Sequence, residues 1–182
     1  MAELYQEFER VLVEEDAIQA RVAALAAQIS DDYRGLGSIV IVSILKGSFM
    51  FTSDLVRRLT IPHYVDFMAL SSYGSNAVSG AVRVLLDLRA DIFNKHVLIV
   101  EDIVDTGKTI EYLTTMLNAR HPASLKTCVL TRKENKNEHI PVDYLGFTIP
   151  DVWVVGYGLD FAERHRTWPF IAELKQGQYQ DK

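Results

Sequence analysis

Cysteine is nearly absent: Cys128 is the only one in 182 residues. A lone thiol excludes a disulfide framework within the chain and points to a reducing cytoplasm. Its neighbours, residues 125–130, are mostly apolar, so it reads as a buried strand thiol. Positive charge is in deficit, with 19 Lys and Arg against 24 Asp and Glu and a net charge of −5. The basic footprint of a nucleic-acid binder is therefore missing. No apolar run approaches the ~20 residues of a membrane span. The opening residues, Met-Ala-Glu-Leu-Tyr-Gln-Glu, lack the pattern of a signal peptide. Repeats, low-complexity tracts and linkers are absent too. His63, His96, His121, His139 and His165 show no metal-ligand spacing, which argues against a zinc site. A P-loop would need glycine where this chain has Asp102. Gly35-Leu36-Gly37 precedes a strand instead of following one, so it is no dinucleotide fingerprint. No Gly-x-Ser-x-Gly elbow is present.

What is present is enough apolar sequence, 48%, for one domain with a full core over residues 1–182. Residues 14–30 read as an amphipathic helix, with Ile18, Val22, Leu25 and Ile29 at helical spacing. Gly35 and Gly37 punctuate its end. Residues 38–45 are a near-continuous β-branched run, the pattern of a strand covered on both faces. Lys46-Gly47-Ser48 interrupts it, and a helix is expected over 49–59. Further strands are expected at 63–70, 81–88, 96–101, 125–131, 143–148 and 152–157, with a helix over 110–117. The alternation argues for an α/β fold, a mainly parallel sheet flanked by helices. Ligands bind such sheets beyond the carboxyl ends of the strands. The loops at 46–48, 101–109 and 131–137 all follow strands and would converge there. Residues 71–80 form a small-residue loop, either a lid or a surface hairpin connection. Residues 132–139 are a solvated, charge-rich loop.

The sharpest signal is residues 97–109. Four apolar residues run into Glu101 and Asp102, then Asp105 and the small turn Thr106-Gly107-Lys108-Thr109. A strand, a short loop and a helix N-terminus make an anion site from backbone N–H groups. Acids favoured by the helix dipole, at ~0.3–1 kcal/mol each, would account for Asp105 and Asp102. They would not account for so apolar a strand aimed at Glu101 and Asp102. Three acids beside an anion site make sense if the ligand also offers hydroxyls or a metal ion. A sugar phosphate with a free 2,3-diol meets both needs.

Residues 101–109, Glu-Asp-Ile-Val-Asp-Thr-Gly-Lys-Thr, resemble the phosphoribosyl-diphosphate motif of the phosphoribosyltransferases. The likeness extends over about residues 8–175. Leu45-Lys46-Gly47-Ser48-Phe49-Met50, Val65-Asp66-Phe67-Met68, Ser71-Ser72-Tyr73-Gly74 and Val154-Val155-Gly156-Tyr157-Gly158-Leu159-Asp160 resemble the bacterial hypoxanthine (hypoxanthine-guanine) branch. The resemblance implies the type I phosphoribosyltransferase fold. Its core would span about 38–150, with a small hood from about 1–37 and 151–182. It also implies roles. Glu101 and Asp102 would hold the ribose hydroxyls as charge-assisted acceptors. Backbone N–H groups of 105–109, with Thr106 and Thr109 hydroxyls and including Gly107 and Lys108, would cradle the 5-phosphate. Asp105 would act near purine N7 as general base or proton shuttle. Lys46 and Gly47 would offer backbone to pyrophosphate, often through a cis peptide, and Arg166 would reach it. Lys133 would donate to the purine O6, Trp153 would stack on the ring, and Val154 would meet its edge. Ser72 and Tyr73 would belong to the lid. Mg²⁺ would be the cofactor, with Glu101, Asp102 and Asp160 as metal-linked carboxylates.

Matching from the preceding strand selects Lys133 for the purine, whereas matching backward from residues 142–147 selects Arg132. Without the resemblance, Trp153 would be core, Lys46-Gly47 an ordinary turn, and Lys133 and Arg166 surface charges. The expected reaction is transfer of 5-phosphoribosyl from phosphoribosyl diphosphate to N9 of hypoxanthine, and of guanine. The expected partners are those substrates and further copies of the chain, as homodimer or homotetramer, with neither nucleic acid nor membrane. The rivals are a nucleic-acid-binding sensor of phosphoribosyl diphosphate and a transferase for xanthine, adenine or a pyrimidine.

Overall fold

Strand β2 (Ile39–Leu45) is apolar on both faces because both faces are covered, and the fold is organised around it. The computed structural model describes residues 6–72, 82–134 and 139–178. In chain order the elements are β1 (Phe8–Val13), α1 (Glu15–Asp32), β2, α2 (Phe49–Val56) and β3 (His63–Ser72). There follow β4 (Val82–Leu86), β5 (His96–Val104), α3 (Lys108–Asn118), β6 (Ser124–Lys133) and β7 (Tyr144–Ile149). The chain closes with β8 (Val154–Val155), β9 (Ile171–Leu174) and a short 3₁₀ turn.

Six strands form the main sheet in the order β4-β3-β2-β5-β6-β7. All neighbours are parallel except β3 and β4. Alternating residues divide the core in two. Ile39, Ile41, Leu98, Val100, Cys128 and Leu130 pack under Ile18, Val22, Leu25 and Ile29 of α1 and Phe51 and Leu55 of α2. Val40, Val42, Val97, Ile99 and Val129 pack under Ile110, Leu113 and Leu117 of α3. The period of two along each strand thus serves two helical layers. Cys128 is fully buried, as expected, and burial pushes its thiol pKa up.

A second, antiparallel sheet, β1-β9-β8, joins the two ends of the chain. The expected hood therefore divides. Its strands come from 8–13 and 154–174, whereas α1 covers the main sheet. Several expected boundaries also move. The strand expected over 152–157 is only Val154–Val155, because Gly156 (φ 98°), Tyr157 (φ 48°) and Gly158 (φ 102°) leave extended geometry. The helix expected over 49–59 ends at Val56. Strands β1 and β9 were not expected at all. Among the described residues no helix is long and apolar enough to cross a membrane.

Candidate active site

Of the loops expected to converge, 46–48 and 101–109 meet at the carboxyl ends of β2 and β5, joined by the end of β3, whereas no described residue of 131–137 lines the cavity. A cavity of about 290 Å³ is lined there by Lys46, Gly47, Ser71, Glu101, Asp102, Thr109, Asp160 and Arg166, among others. Glu101, the expected last residue of the strand, and Asp102 both belong to β5, which runs on to Val104, a correction to the expected strand end at 101. The ladder with β6 continues past them, pairing Ile103 with Thr131 and Val104 with Arg132. Both carboxylates are therefore held on a rigid strand and are almost fully buried.

Burial sets their charge state. Desolvation and the adjacent Asp102 raise the Glu101 pKa well above the ordinary carboxylate range. Asp102 is also raised by burial, although its hydrogen bonds and Arg166 pull the other way. Glu101 Oε2 is buried and has no hydrogen-bond partner among the described residues. An orphaned acceptor beside a second carboxylate is poised to receive a hydroxyl or cation from a ligand. Asp102 is fixed from both sides: its Oδ1 accepts from the Ile103 N–H at 2.9 Å, and its carbonyl accepts from Thr131 Oγ1 at 2.9 Å.

Gly47 must be glycine because Asp102 crosses it. A Cβ at Gly47 would fall 1.6 Å from Asp102 Oδ2. Gly158 leans on Gly47 in turn: its own Cβ would fall 2.0 Å from the Gly47 carbonyl, and its φ is +102°. The peptide bond between Leu45 and Lys46 is cis. Beneath it lies a buried hydroxyl network that the sequence reading missed. Ser43 Oγ is 2.9 Å from Ser48 Oγ and 2.8 Å from Thr52 Oγ1, and Ser48 Oγ donates to the Ile44 carbonyl at 2.7 Å. The only sequence signal for it was a serine inside an apolar strand.

The turn after β5 holds Asp105, half-buried, and exposed Thr106. Gly107, with a left-handed φ of 73°, is the N-cap of α3. The leading N–H groups of a helix have no intrahelical partner and point toward the turn. Lys108 is exposed and Thr109 faces the cavity. Beside the turn, the Lys133 ammonium lies 3.5 Å from Asp105 and 3.4 Å from Asp151. Arg132 points elsewhere, donating to the Ile140 carbonyl at 2.8 Å. Lys133, not Arg132, is thus the cation at this turn. Trp153 is half exposed, edge-on to Phe161 at 5.7 Å, and not a core residue. Val154 is buried in β8, paired with Glu173. Tyr73 and most of the expected 71–80 lid lie outside the described residues. Ser72 ends β3, while its neighbour Ser71 reaches the cavity.

Arg166 is aimed by backbone and carboxylates. It donates to the Gly158 carbonyl at 2.8 Å and pairs with Asp160 at 2.8 Å. The three carboxylates expected at a metal do not form a protein-only cage, since no three potential ligands group together among the described residues. The donor set nonetheless fits Mg²⁺, which is commonly held by one or two carboxylates, substrate phosphates and water. The unclaimed Glu101 oxygen next to Asp102 is where this chain offers such a donor.

The cavity lies at a switch in strand order, walled by two buried acids beside the start of α3, the place where ligands bind open α/β sheets. A family model for the phosphoribosyl transferase domain matches residues 12–162. The chain belongs to the phosphoribosyltransferase family. It is 48% identical over 174 residues to the hypoxanthine-guanine phosphoribosyltransferase of Dictyostelium discoideum, covering 93% of this chain and 97% of that one. It is 46% identical to the hypoxanthine phosphoribosyltransferase of Haemophilus influenzae, covering 90% and 94%. The fold superposes on the Staphylococcus aureus hypoxanthine phosphoribosyltransferase with a TM-score of 0.92 at 41% identity, over 98% of both chains. The Trypanosoma cruzi enzyme in complex with its product IMP gives 0.89 at 44% identity, over 96% and 98%.

Proposed function

We propose that this chain is a purine-salvage enzyme that transfers the 5-phosphoribosyl group of phosphoribosyl diphosphate to N9 of hypoxanthine, and of guanine. The products are IMP or GMP and pyrophosphate. The observation that carries the reading is the buried Glu101–Asp102 pair, on a chain so similar to named hypoxanthine phosphoribosyltransferases.

In this mechanism Glu101 and Asp102 accept hydrogen bonds from the ribose hydroxyls. The N–H groups of residues 105–109 and the Thr106 and Thr109 hydroxyls hold the 5-phosphate. Lys46, Gly47 and Arg166 hold the pyrophosphate; their shared cavity with Asp102 supports this. As the bond from C1 to the pyrophosphate oxygen breaks and the bond from N9 to C1 forms, positive charge spreads over sugar and purine. Asp105 faces that charge and takes the proton from N7. Its proximity to Lys133 supports a common purine-facing role, with Lys133 donating to O6. The exposed Trp153 ring is available for stacking, worth ~1–3 kcal/mol per base. Val154 presents backbone to the base edge. Mg²⁺, when bound, neutralises the pyrophosphate leaving group and orients it. Glu101 and Asp102 would be its protein donors, and Asp160 would act through water, since its oxygens already serve Arg166 and the Glu163 N–H.

We place the enzyme in the cytoplasm, which the single buried thiol supports. It assembles as a homodimer or homotetramer. The exposed Tyr64, Phe67 and Leu86 around a cavity of about 670 Å³ on the β3–β4 edge are the kind of surface that association buries.

A panel of hypoxanthine, guanine, xanthine, adenine and pyrimidine bases, with phosphoribosyl diphosphate and with or without Mg²⁺, tests the reading. Metal-dependent IMP formation is expected. Preference for xanthine, adenine or a pyrimidine would replace it with another transferase. No turnover, together with nucleic-acid binding at ~0.1 M salt, would favour the sensor reading.

A further inference from the structure

Glu163 has no assigned role, yet its carboxylate pairs with two cations that line the cavity. Its Oε2 lies 3.0 Å from the Lys46 ammonium and 3.2 Å from the Arg166 guanidinium. These are the two cations of the cavity wall. One oxygen thus bridges the β2 loop and the C-terminal segment, which are 117 residues apart in sequence. The two cations hold the Glu163 carboxyl below the usual carboxylate range.

The backbone is built to present this side chain. Ala162 (φ 51°), Glu163 (φ 64°) and His165 (φ 73°) all adopt left-handed conformations that non-glycine residues rarely use. The turn is pinned by the Glu163 N–H, which donates to Asp160 Oδ2 at 2.8 Å, and by the Phe161–Arg164 bridge. Backbone outliers of this kind cluster at ligand clamps and switch regions. A side chain meant only to decorate the surface needs no such turn. The carboxylate itself is about two-thirds exposed, so it can swing into solvent without breaking the core.

We propose that Glu163 is an internal stand-in for pyrophosphate. In the empty site it neutralises Lys46 and Arg166. When phosphoribosyl diphosphate enters, its diphosphate oxygens displace the carboxylate. After transfer, Glu163 competes for the same cations and helps pyrophosphate leave. The inference rests on the reading of Lys46, Gly47 and Arg166 as diphosphate partners, extends it from the Lys46 backbone to its ammonium, and adds a displaceable competitor.

The test is calorimetric binding of inorganic pyrophosphate with Mg²⁺ to the wild-type protein and to Glu163→Gln, with steady-state kinetics on both. Glutamine keeps the size and removes the charge, and at an exposed position it leaves the fold unchanged by circular dichroism. Binding of pyrophosphate should tighten about two- to fivefold, the scale of an exposed ion pair. KM for phosphoribosyl diphosphate should fall in the same proportion, with KM for the purine unmoved. In a Lys46→Met background the gain should shrink. Unchanged or weakened pyrophosphate binding in Glu163→Gln would overturn the stand-in. No pyrophosphate binding by the wild-type protein would instead overturn the underlying reading of the site.

Discussion

The β5–α3 turn and the segment from Gly156 to Arg166 face one cavity but are built in opposite ways. The turn is contiguous. Nine residues from Glu101 to Thr109 carry two buried acids, a half-buried third and a helix start at Gly107, all held by one strand in the middle of a sheet. The other wall is assembled from afar. Arg166 depends on the Gly158 carbonyl, Gly158 on the Gly47 backbone, and Gly47 on Asp102. The first is a local device whose geometry follows from strand and helix. The second is a stack of close approaches that exists only when the whole domain is folded.

Substitutions should separate the two. The largest effect is expected in the contiguous half: Asp105→Ala should lower kcat by ~10²–10⁴ with the fold intact, the range of general acid–base catalysis. Turnover within a few-fold of wild type would remove Asp105 from the chemistry. Next comes the assembled half. Gly158→Ala puts a Cβ 2.0 Å from the Gly47 carbonyl at a φ of +102°. A displacement of about 1 Å is enough to cost ~10²-fold. The loss should fall on kcat/KM for phosphoribosyl diphosphate, while circular dichroism still reports a folded domain. If the loss fell equally on the purine, the stacked wall would serve more than the diphosphate.

Smaller effects sharpen the contrast. Glu101→Gln with Asp102→Asn should weaken phosphoribosyl diphosphate by ~10–100-fold, since hydrogen bonds to charged groups contribute ~1.5–3 kcal/mol. Free purine should bind nearly as before, and equal losses for both ligands would contradict the ribose assignment. The smallest effect concerns pH. The raised Glu101 pKa means that the folded state holds this proton more tightly than the unfolded chain. Stability of the ligand-free protein should therefore fall as pH rises from the ordinary carboxylate range toward the raised value. In Glu101→Gln that slope should flatten, as followed by Tm across pH. An identical slope in both proteins would mean that Glu101 is already ionised when buried.

The same division explains how much the sequence disclosed. The parallel sheet, its helices and the 101–109 motif were legible because each rests on local pattern: β-branched runs, helical spacing and a strand that feeds a turn. The strand was expected to end at Glu101 and leave Asp102 in a loop, but the ladder with β6 continues and both acids are buried. Strands β1 and β9 carried no signal because they are short and pair only with distant partners, Phe8 with Leu174 and Val13 with Ile171. Trp153 illustrates the reverse error of composition. An aromatic beside apolar residues suggests core, yet β8 ends the burial at Val154 and leaves the ring half exposed. The Ser43–Ser48–Thr52 network and Glu163 depend on contacts across loops and could not be read from spacing.

A crystal structure of the chain with IMP bound tests most directly whether one turn grips both diol and phosphate. The account predicts the ribose hydroxyls against the Glu101 and Asp102 carboxylates and the 5-phosphate on the N–H groups of residues 106–109. A nucleotide whose phosphate binds away from α3, leaving those two acids untouched, would contradict it.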